Sequence, residues 1–483
     1  MFKLLKKNFK FFTIEFLTIL NENIFKSAII LLINYILYKQ NTLSPQLLVL
    51  FSTLIYLIPQ LLFSTTAGKI CDKFNKNYLI KRLKTLELFV YSFALISIWS
   101  KNIILLVVSL FIIAIQRVFF ENIKYSIIPE ISDKQDYLKV NIITIVSHFF
   151  ALICGVITSY VLLLKYIGIF SISDIISLYV ICNYLLSKKL KYKEKIVNNS
   201  ITINKKWNFI KNDLKNLLSL SKRKYIFLPA LGIAWFWFVS SAFINHLEFF
   251  AKSYLNTTQT VAVFFIFCFT AGIMVGSAIC GKVFKDRTNI AFTPLSAIII
   301  TFLTYRIFKN NLLPSVNTTT DFINFFTNFN NIKLILDFTL IGIFAGIYIT
   351  PLYSFVQTKT KNINKGRIFA GINLLNYVFI ILSSLICYIL ARINFYIIDI
   401  FLFIAIANWI VGFIILFLLP KSVFFMFGRW LFKLVFHVKV EGLENYQAVE
   451  NKRIIVIANH QSFLDAALLS MFIDENLSFA MAV

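Results

Sequence analysis

Twelve apolar stretches, each long enough to cross the roughly 30 Å of a bilayer's hydrocarbon core as a helix, follow one another at about residues 14–38, 46–67, 78–100, 102–120, 138–164, 167–187, 225–251, 259–284, 290–308, 332–357, 367–391 and 396–419. No water-soluble core of this size absorbs so much apolar chain. Hydrophobic residues make up 59% of the 483 and charged residues 14%, and the mean hydropathy is +0.78. The composition therefore implies an all-α integral membrane protein with a multi-pass body.

The formal net charge of +26 would suggest a nucleic-acid partner in a soluble chain. Here it reports topology instead, and no nucleic acid is expected. The loops after the second, fourth, sixth, eighth and tenth stretches carry Lys73, Lys76, Lys81 and Arg82, then Lys124, Lys134 and Lys139, the run from Lys188 to Lys224, then Lys282, Lys285 and Arg287, and finally Lys359, Lys361, Lys365 and Arg367. The alternate loops hold little beyond Lys39, Lys101, Lys165, Lys252 and Arg392, with Arg306, Lys309 and Lys333 near the ends of the longest. By the positive-inside rule both termini are expected in the cytoplasm. Phe, Ile, Asn and Lys are also what an AT-rich genome over-supplies, so single lysines and asparagines carry little weight.

Cys71, Cys154, Cys182, Cys268, Cys280 and Cys387 are scattered, mostly inside apolar runs, with no C-x-x-C pair. They read as buried thiols, and neither a metal nor a cofactor is expected. The basic start at Lys3, Lys6, Lys7 and Lys10 leads into an apolar run without a small-residue cleavage site, so that run is expected to stay as the first span.

The longest connection, residues 188–224, is basic, Asn-rich and poor in apolar periodicity. It divides the chain into six-helix halves at 1–187 and 225–420, with 421–483 as a C-terminal segment. Within the spans, ionisable residues are the sharpest functional signal, because a charge at membrane depth costs several kcal/mol unless it finds a partner or a wet cavity. Asn21, Glu22 and Asn23 are consecutive polar residues in the first span. Successive helical residues point about 100° apart, so the three cannot share one direction. Arg117, Glu121, His148, Asp174, His246, Glu248 and Asp337 lie in or near other spans. Arg117 and Glu121 have the i, i+4 spacing of a pair. The histidines read as satisfied polar residues, and Trp235 to Phe238 as an aromatic anchor or lipid-facing packing.

After the second stretch stands Gly68-Lys69-Ile70-Cys71-Asp72-Lys73-Phe74-Asn75-Lys76. It resembles the Gly-x-x-x-Asp-Arg/Lys-x-Gly-Arg/Lys loop of the major facilitator superfamily, with Asn75 where the second Gly is usual. The resemblance implies a 12-helix fold of two pseudo-symmetric halves and a conformational latch at Gly68, Asp72 and Lys73. The physics agrees: a Gly lets two helices approach, and an Asp can meet a helix N-terminus across the half-to-half interface in one conformation. Gly281 to Arg287 is a looser echo in the second half.

Leu20-Asn21-Glu22-Asn23-Ile24-Phe25-Lys26, Lys124 to Glu130, Gly342 to Leu352 and Ala370-Gly371-Ile372-Asn373-Leu374-Leu375-Asn376 together look like the lysophospholipid transporter family. That resemblance implies movement of lysophospholipids across the bacterial inner membrane for re-acylation, with Asn21, Glu22, Asn23, Asn373 and Asn376 as substrate-binding candidates. Glu22 departs from the Asp favoured in that family.

The C-terminal segment carries Asn459-His460-Gln461-Ser462-Phe463-Leu464-Asp465, preceded by an apolar, β-rich run at Arg453 to Ala458 and followed by a helical pattern. It resembles the first block of the 1-acylglycerol-phosphate acyltransferase family, and Val440 to Asn445 resembles that family's lead-in. The resemblance implies His460 as general base, Asp465 as its orienting carboxylate, and acyl carrier protein or acyl-coenzyme A as donor. The later Arg-bearing blocks of the family do not occur, so the segment is expected to be an incomplete α/β domain without acyl transfer of its own. Two other readings remain: a facilitator for another amphiphile or drug, and an enzyme whose membrane body is only an anchor.

Overall fold

The computed structural model describes residues 2–32, 45–162, 168–190, 209–283, 290–309, 322–360, 365–393, 395–418, 420–442, 455–459, 461–462 and 464–473. Twelve long helices stand where the apolar stretches lie. They are α1 (Phe9–Leu32), α2 (Pro45–Lys73), α3 (Lys76–Ser100), α4 (Ile103–Ser126), α5 (Tyr137–Tyr160), α6 (Gly168–Lys188), α7 (Lys224–Phe249), α8 (Gln259–Val283), α9 (Phe292–Lys309), α10 (Phe329–Lys359), α11 (Lys365–Arg392) and α12 (Ile397–Leu418). Ten of them are long and apolar enough to cross a membrane by length and composition among the described residues, and α1 and α6 pack between them.

The helices pair in a pattern that repeats after six. In the first half α1 packs on α5, α2 on α4, and α3 on both α4 and α6; in the second, α7 packs on α11, α8 on α10, and α9 on both α10 and α12. Adding six to each number of the first set gives the second. The main contacts between the halves, α2 with α11 and α5 with α8, exchange under the same shift. This is a two-fold pseudo-symmetric body of six plus six helices.

Local chemistry sets the boundaries. Asn75 caps α3, its Oδ1 accepting the N–H groups of Asn77 at 2.7 Å and Tyr78 at 3.3 Å, so the residue that departs from the resembled loop serves as a helix cap. Asn102 caps α4 in the same way, just after Lys101 closes α3 in the left-handed region at φ 51°. Inside the second half, Gly272 and Gly276 of α8 face Gly342 and Gly346 of α10. A Cβ at Gly276 would stand 1.9 Å from the Ile343 carbonyl oxygen, and one at Gly342 2.1 Å from that of Phe269. The helices therefore meet backbone to backbone, as small-xxx-small pairs in membranes do.

Three expectations change. The connection between the halves is not featureless: Phe209–Ser221 forms a helix. Its Leu217 and Leu220 pack into the core while Leu214 and Leu218 are exposed; interspersed Lys and Asn dilute that stripe in the sequence. Trp235 to Phe238 is not lipid-facing packing, because Phe236 and Phe238 are buried and the indoles of Trp235 and Trp237 bond to Asn408 at 2.9 Å and Tyr353 at 3.3 Å. The C-terminal segment shows no strand among the described residues. Ile455 to Asn459 finds no neighbouring strand among the described residues and is irregular there. What does fold there is helical: α13 (Pro420–Val435) and α14 (Asp465–Phe472) pack through Phe432, Met471 and Phe472.

Candidate functional site

The middle of the body is organised by one face of α4. Arg117, Glu121 and Tyr125 recur every four residues, so they line one side of the helix. Arg117 is 7% exposed and bridges two carboxylates, Glu22 of α1 at 3.0 Å and Glu121 at 3.3 Å. Glu22 also takes the Lys26 ammonium at 2.6 Å and the Tyr56 hydroxyl of α2 at 2.5 Å. The expected local pair Arg117–Glu121 exists, yet it is half of a larger network. Desolvated charges of this kind hold only because each finds its opposite.

The network crosses to the second half. Tyr377 of α11 donates to Glu121 at 2.7 Å. One helical turn along α4, Tyr125 stacks on Tyr353 of α10 with ring centroids 4.7 Å apart and planes 5° from parallel. Tyr353 accepts from the Trp237 indole of α7 at 3.3 Å, and Trp237 meets the His148 ring of α5 edge-on at 6.0 Å. Charged contacts and aromatic stacking thus both join the halves, side by side along α4.

The other expected binding residues divide. Asn21 is fully buried with no hydrogen-bond partner for its amide, and Asn373 is buried with its amide nitrogen unpartnered. Asn376 is buried beside Tyr377 with its amide oxygen unpartnered. Asn23 turns away: it donates to the Ile19 carbonyl at 2.8 Å and abuts Gly155 of α5. Consecutive positions on α1 therefore do not share a cavity.

Sequence reasoning missed a second buried network in the first half. Lys84 and Glu87 of α3 are each 1% exposed and 2.5 Å apart. Thr18 and Gln116 join them, and Asn183 reaches both Thr18 at 3.1 Å and Glu87 at 3.2 Å. Glu15 and Lys124 form a further buried pair at 3.3 Å. The signal was available in two opposite charges three residues apart within the apolar stretch 78–100. Tyr56 and Tyr377 gave none, being two of 21 tyrosines.

At the far end of α2, the Asp72 carboxylate accepts the N–H groups of Gly366 at 2.7 Å and Arg367 at 3.0 Å, the first turn of α11. An anion here meets unsatisfied N–H groups and the positive end of the helix dipole. Gly68 permits the approach, since a Cβ there would lie 2.6 Å from both Ala370 Cβ and the Gly366 oxygen. Lys73 lies over the ring of its neighbour Phe74 at 5.7 Å, while Lys76 takes the ion pair with Glu130. The linker helix joins in: Asp213 accepts the Thr65 N–H of α2 at 3.0 Å, and Asn216 donates to the Arg367 carbonyl at 3.0 Å. Burial pushes the Asp213 carboxyl up to about 6, against its bond to Thr65. The second-half echo after Gly281 runs into residues 284–287, outside the described residues.

In the C-terminal segment, Asp465 opens α14 and accepts the N–H groups of Gln461 at 2.7 Å and Ser462 at 2.8 Å. Its carboxylate thus fixes the turn that carries the signature; His460 itself lies outside the described residues.

Two six-helix halves, charges buried at their junction and an Asp of one half on a helix N-terminus of the other are the build of a membrane transporter. The chain belongs to the Major Facilitator Superfamily, whose family model matches residues 11–384. An Acyltransferase family model matches residues 437–483. No curated protein sequence matches the chain. Among solved structures, the human organic anion transporter MFSD10 (TETRAN) is similar at 12% identity and a TM-score of 0.68, covering 84% of this chain and 99% of that one. A bacterial homologue of the iron transporter ferroportin in an outward-facing state is similar at 12% identity and a TM-score of 0.59, covering 83% and 97%. The transporter FucP in the outward conformation gives 13% and 0.58, covering 82% and 97%. At these identities the likeness is one of fold.

Proposed function

We propose that this protein carries lysophospholipids across the bacterial inner membrane by alternating access, delivering them for re-acylation. The observation that carries this reading is the union, on one chain, of a facilitator body and a segment matching the Acyltransferase family. A transported lipid lacking one acyl chain is the substrate that both parts have in common.

The junction of the halves suits such a molecule. Arg117 offers a planar fork for a phosphodiester, and Glu22 and Glu121 keep it oriented until the headgroup takes their place. Asn21, Asn373 and Asn376 supply amides, and the wall of Tyr125, Tyr353 and Trp237 accepts the apolar chain. Gly68, Asp72 and Lys73 belong to the latch on the cytoplasmic side, closed while Asp72 caps α11 and released as residues 1–187 rock against 225–419. His460 and Asp465 face the compartment of acyl carrier protein and acyl-coenzyme A.

The reading is tested by displacing a fluorescent lysophosphatidylethanolamine from the purified chain. Lysophospholipids with ethanolamine or glycerol headgroups should displace it, whereas an uncharged detergent of equal chain length and a chainless organic anion should not. Equal displacement by the chainless anion would favour the second reading, a facilitator for organic anions built around Arg117.

A further inference from the structure

The linker helix Phe209–Ser221 and the first turn of α11 enclose a cavity lined by Asn216, Ser219, Leu220, Arg223, Arg367 and Ile368. Its charge is one-sided, with two guanidiniums and no carboxylate in the lining. The nearby acids lie outside the lining, Asp72 on the N–H groups of Gly366 and Arg367 and Asp213 on that of Thr65, and offset only part of the positive charge. The Arg367 Nε is buried without a hydrogen-bond partner. Lys69 lies within electrostatic reach of Arg367 and Lys215 as well as Asp213, so the cations near the cavity outnumber the acids. Like charges gathered around a shared cavity repel unless an anion enters.

We propose that this cavity binds a phosphate group, held between Arg223 and Arg367 with Asn216 and Ser219 as neutral donors. The tetrahedral oxygens of phosphate match two guanidinium forks better than a single carboxylate does. Asn216 spends one amide hydrogen on the Arg367 carbonyl and keeps the other for the ligand. The bound group ties the linker helix to α11 while Asp213 ties it to α2, so occupancy stabilises the latched arrangement. The ligand is either the phosphodiester of an anionic lipid at the membrane surface or phosphate from solution. The site is separate from the Arg117 network and independent of what the transporter carries.

The test follows thermal unfolding of the purified full chain in two settings. One is a neutral detergent with inorganic phosphate titrated at fixed ionic strength against chloride. The other is nanodiscs of phosphatidylcholine with or without phosphatidylglycerol. Saturable stabilisation by inorganic phosphate would identify a soluble ligand, and stabilisation by phosphatidylglycerol alone a lipid headgroup. In either case Arg367→Gln and Arg223→Gln should raise the half-saturating concentration by about tenfold or more, with Arg223→Lys in between. Arg223 is exposed, so its replacement leaves folding intact and keeps the comparison valid. Lack of saturable stabilisation in both settings, or wild-type responses from both Gln variants, would overturn the proposal.

Discussion

Glu22 is the residue on which most of the buried charge at the junction depends. It neutralises Lys26 and Arg117 and accepts from Tyr56, so Glu22→Ala leaves two cations short of a partner. Losing one side of a buried pair costs about 3–5 kcal/mol, and the variant should unfold at lower temperature as well as lose lysophospholipid uptake. Glu22→Gln keeps an acceptor for Tyr56 and should retain more of both. Uptake in reconstituted vesicles, normalised to folded protein by size-exclusion chromatography, separates the two effects. At the proposed latch, Asp72→Asn keeps one acceptor oxygen and loses the charge that favours the α11 N-terminus. It should slow transport several-fold with unchanged substrate affinity, because the change shifts the balance of states and not the site. A large loss of affinity at normal turnover would remove Asp72 from the latch.

Among the elements, the linker helix has a pH dependence whose sign follows from Asp213. Its carboxyl sits at about 6 when docked against an ordinary 3.8, so the docked state binds the proton more tightly. Docking is therefore strongest below pH 4 and weakens as pH rises through 6. Hydrogen exchange of residues 213–220, referenced at each pH to Asp213→Asn, should speed up over that window; a constant ratio would contradict it. The α8–α10 contact is less forgiving. Gly276→Leu drives a side chain into the Ile343 backbone and should abolish folding, seen as loss of a monodisperse peak.

These elements also show what the sequence makes legible. Helix positions are readable because lipid demands unbroken apolar length, and α1 to α12 follow the twelve stretches closely. Asp72 is readable because its motif is local. The linker helix is hidden by Lys and Asn among its leucines. The Glu22–Arg117 bridge joins residues on different helices far apart in the chain, so i, i+4 spacing found only Arg117's nearer partner. Lys84 and Glu87 were visible as spacing but not as a network, which needs Thr18, Gln116 and Asn183 from three other helices.

At the scale of the whole molecule, the described apolar contacts of the C-terminal segment are local to it. Asp465 fixes a turn at the start of α14, whose apolar contacts are with α13 and the residues next to it. Asp465→Ala and His460→Ala should accordingly leave transport unchanged. A transport defect in either, at normal expression, would mean that the segment takes part in the cycle.

The central claim is that the facilitator body itself moves lysophospholipid from one face of the membrane to the other. It is tested most directly by reconstituting the purified chain into vesicles and measuring how fast a fluorescent lysophosphatidylethanolamine becomes protected from a quencher outside. Wild type should accelerate protection well above protein-free vesicles, and Arg117→Gln, which empties the centre of the charged network, should return it to that background. Rates equal to protein-free vesicles for the folded wild type, or an Arg117→Gln rate equal to wild type, would contradict the account.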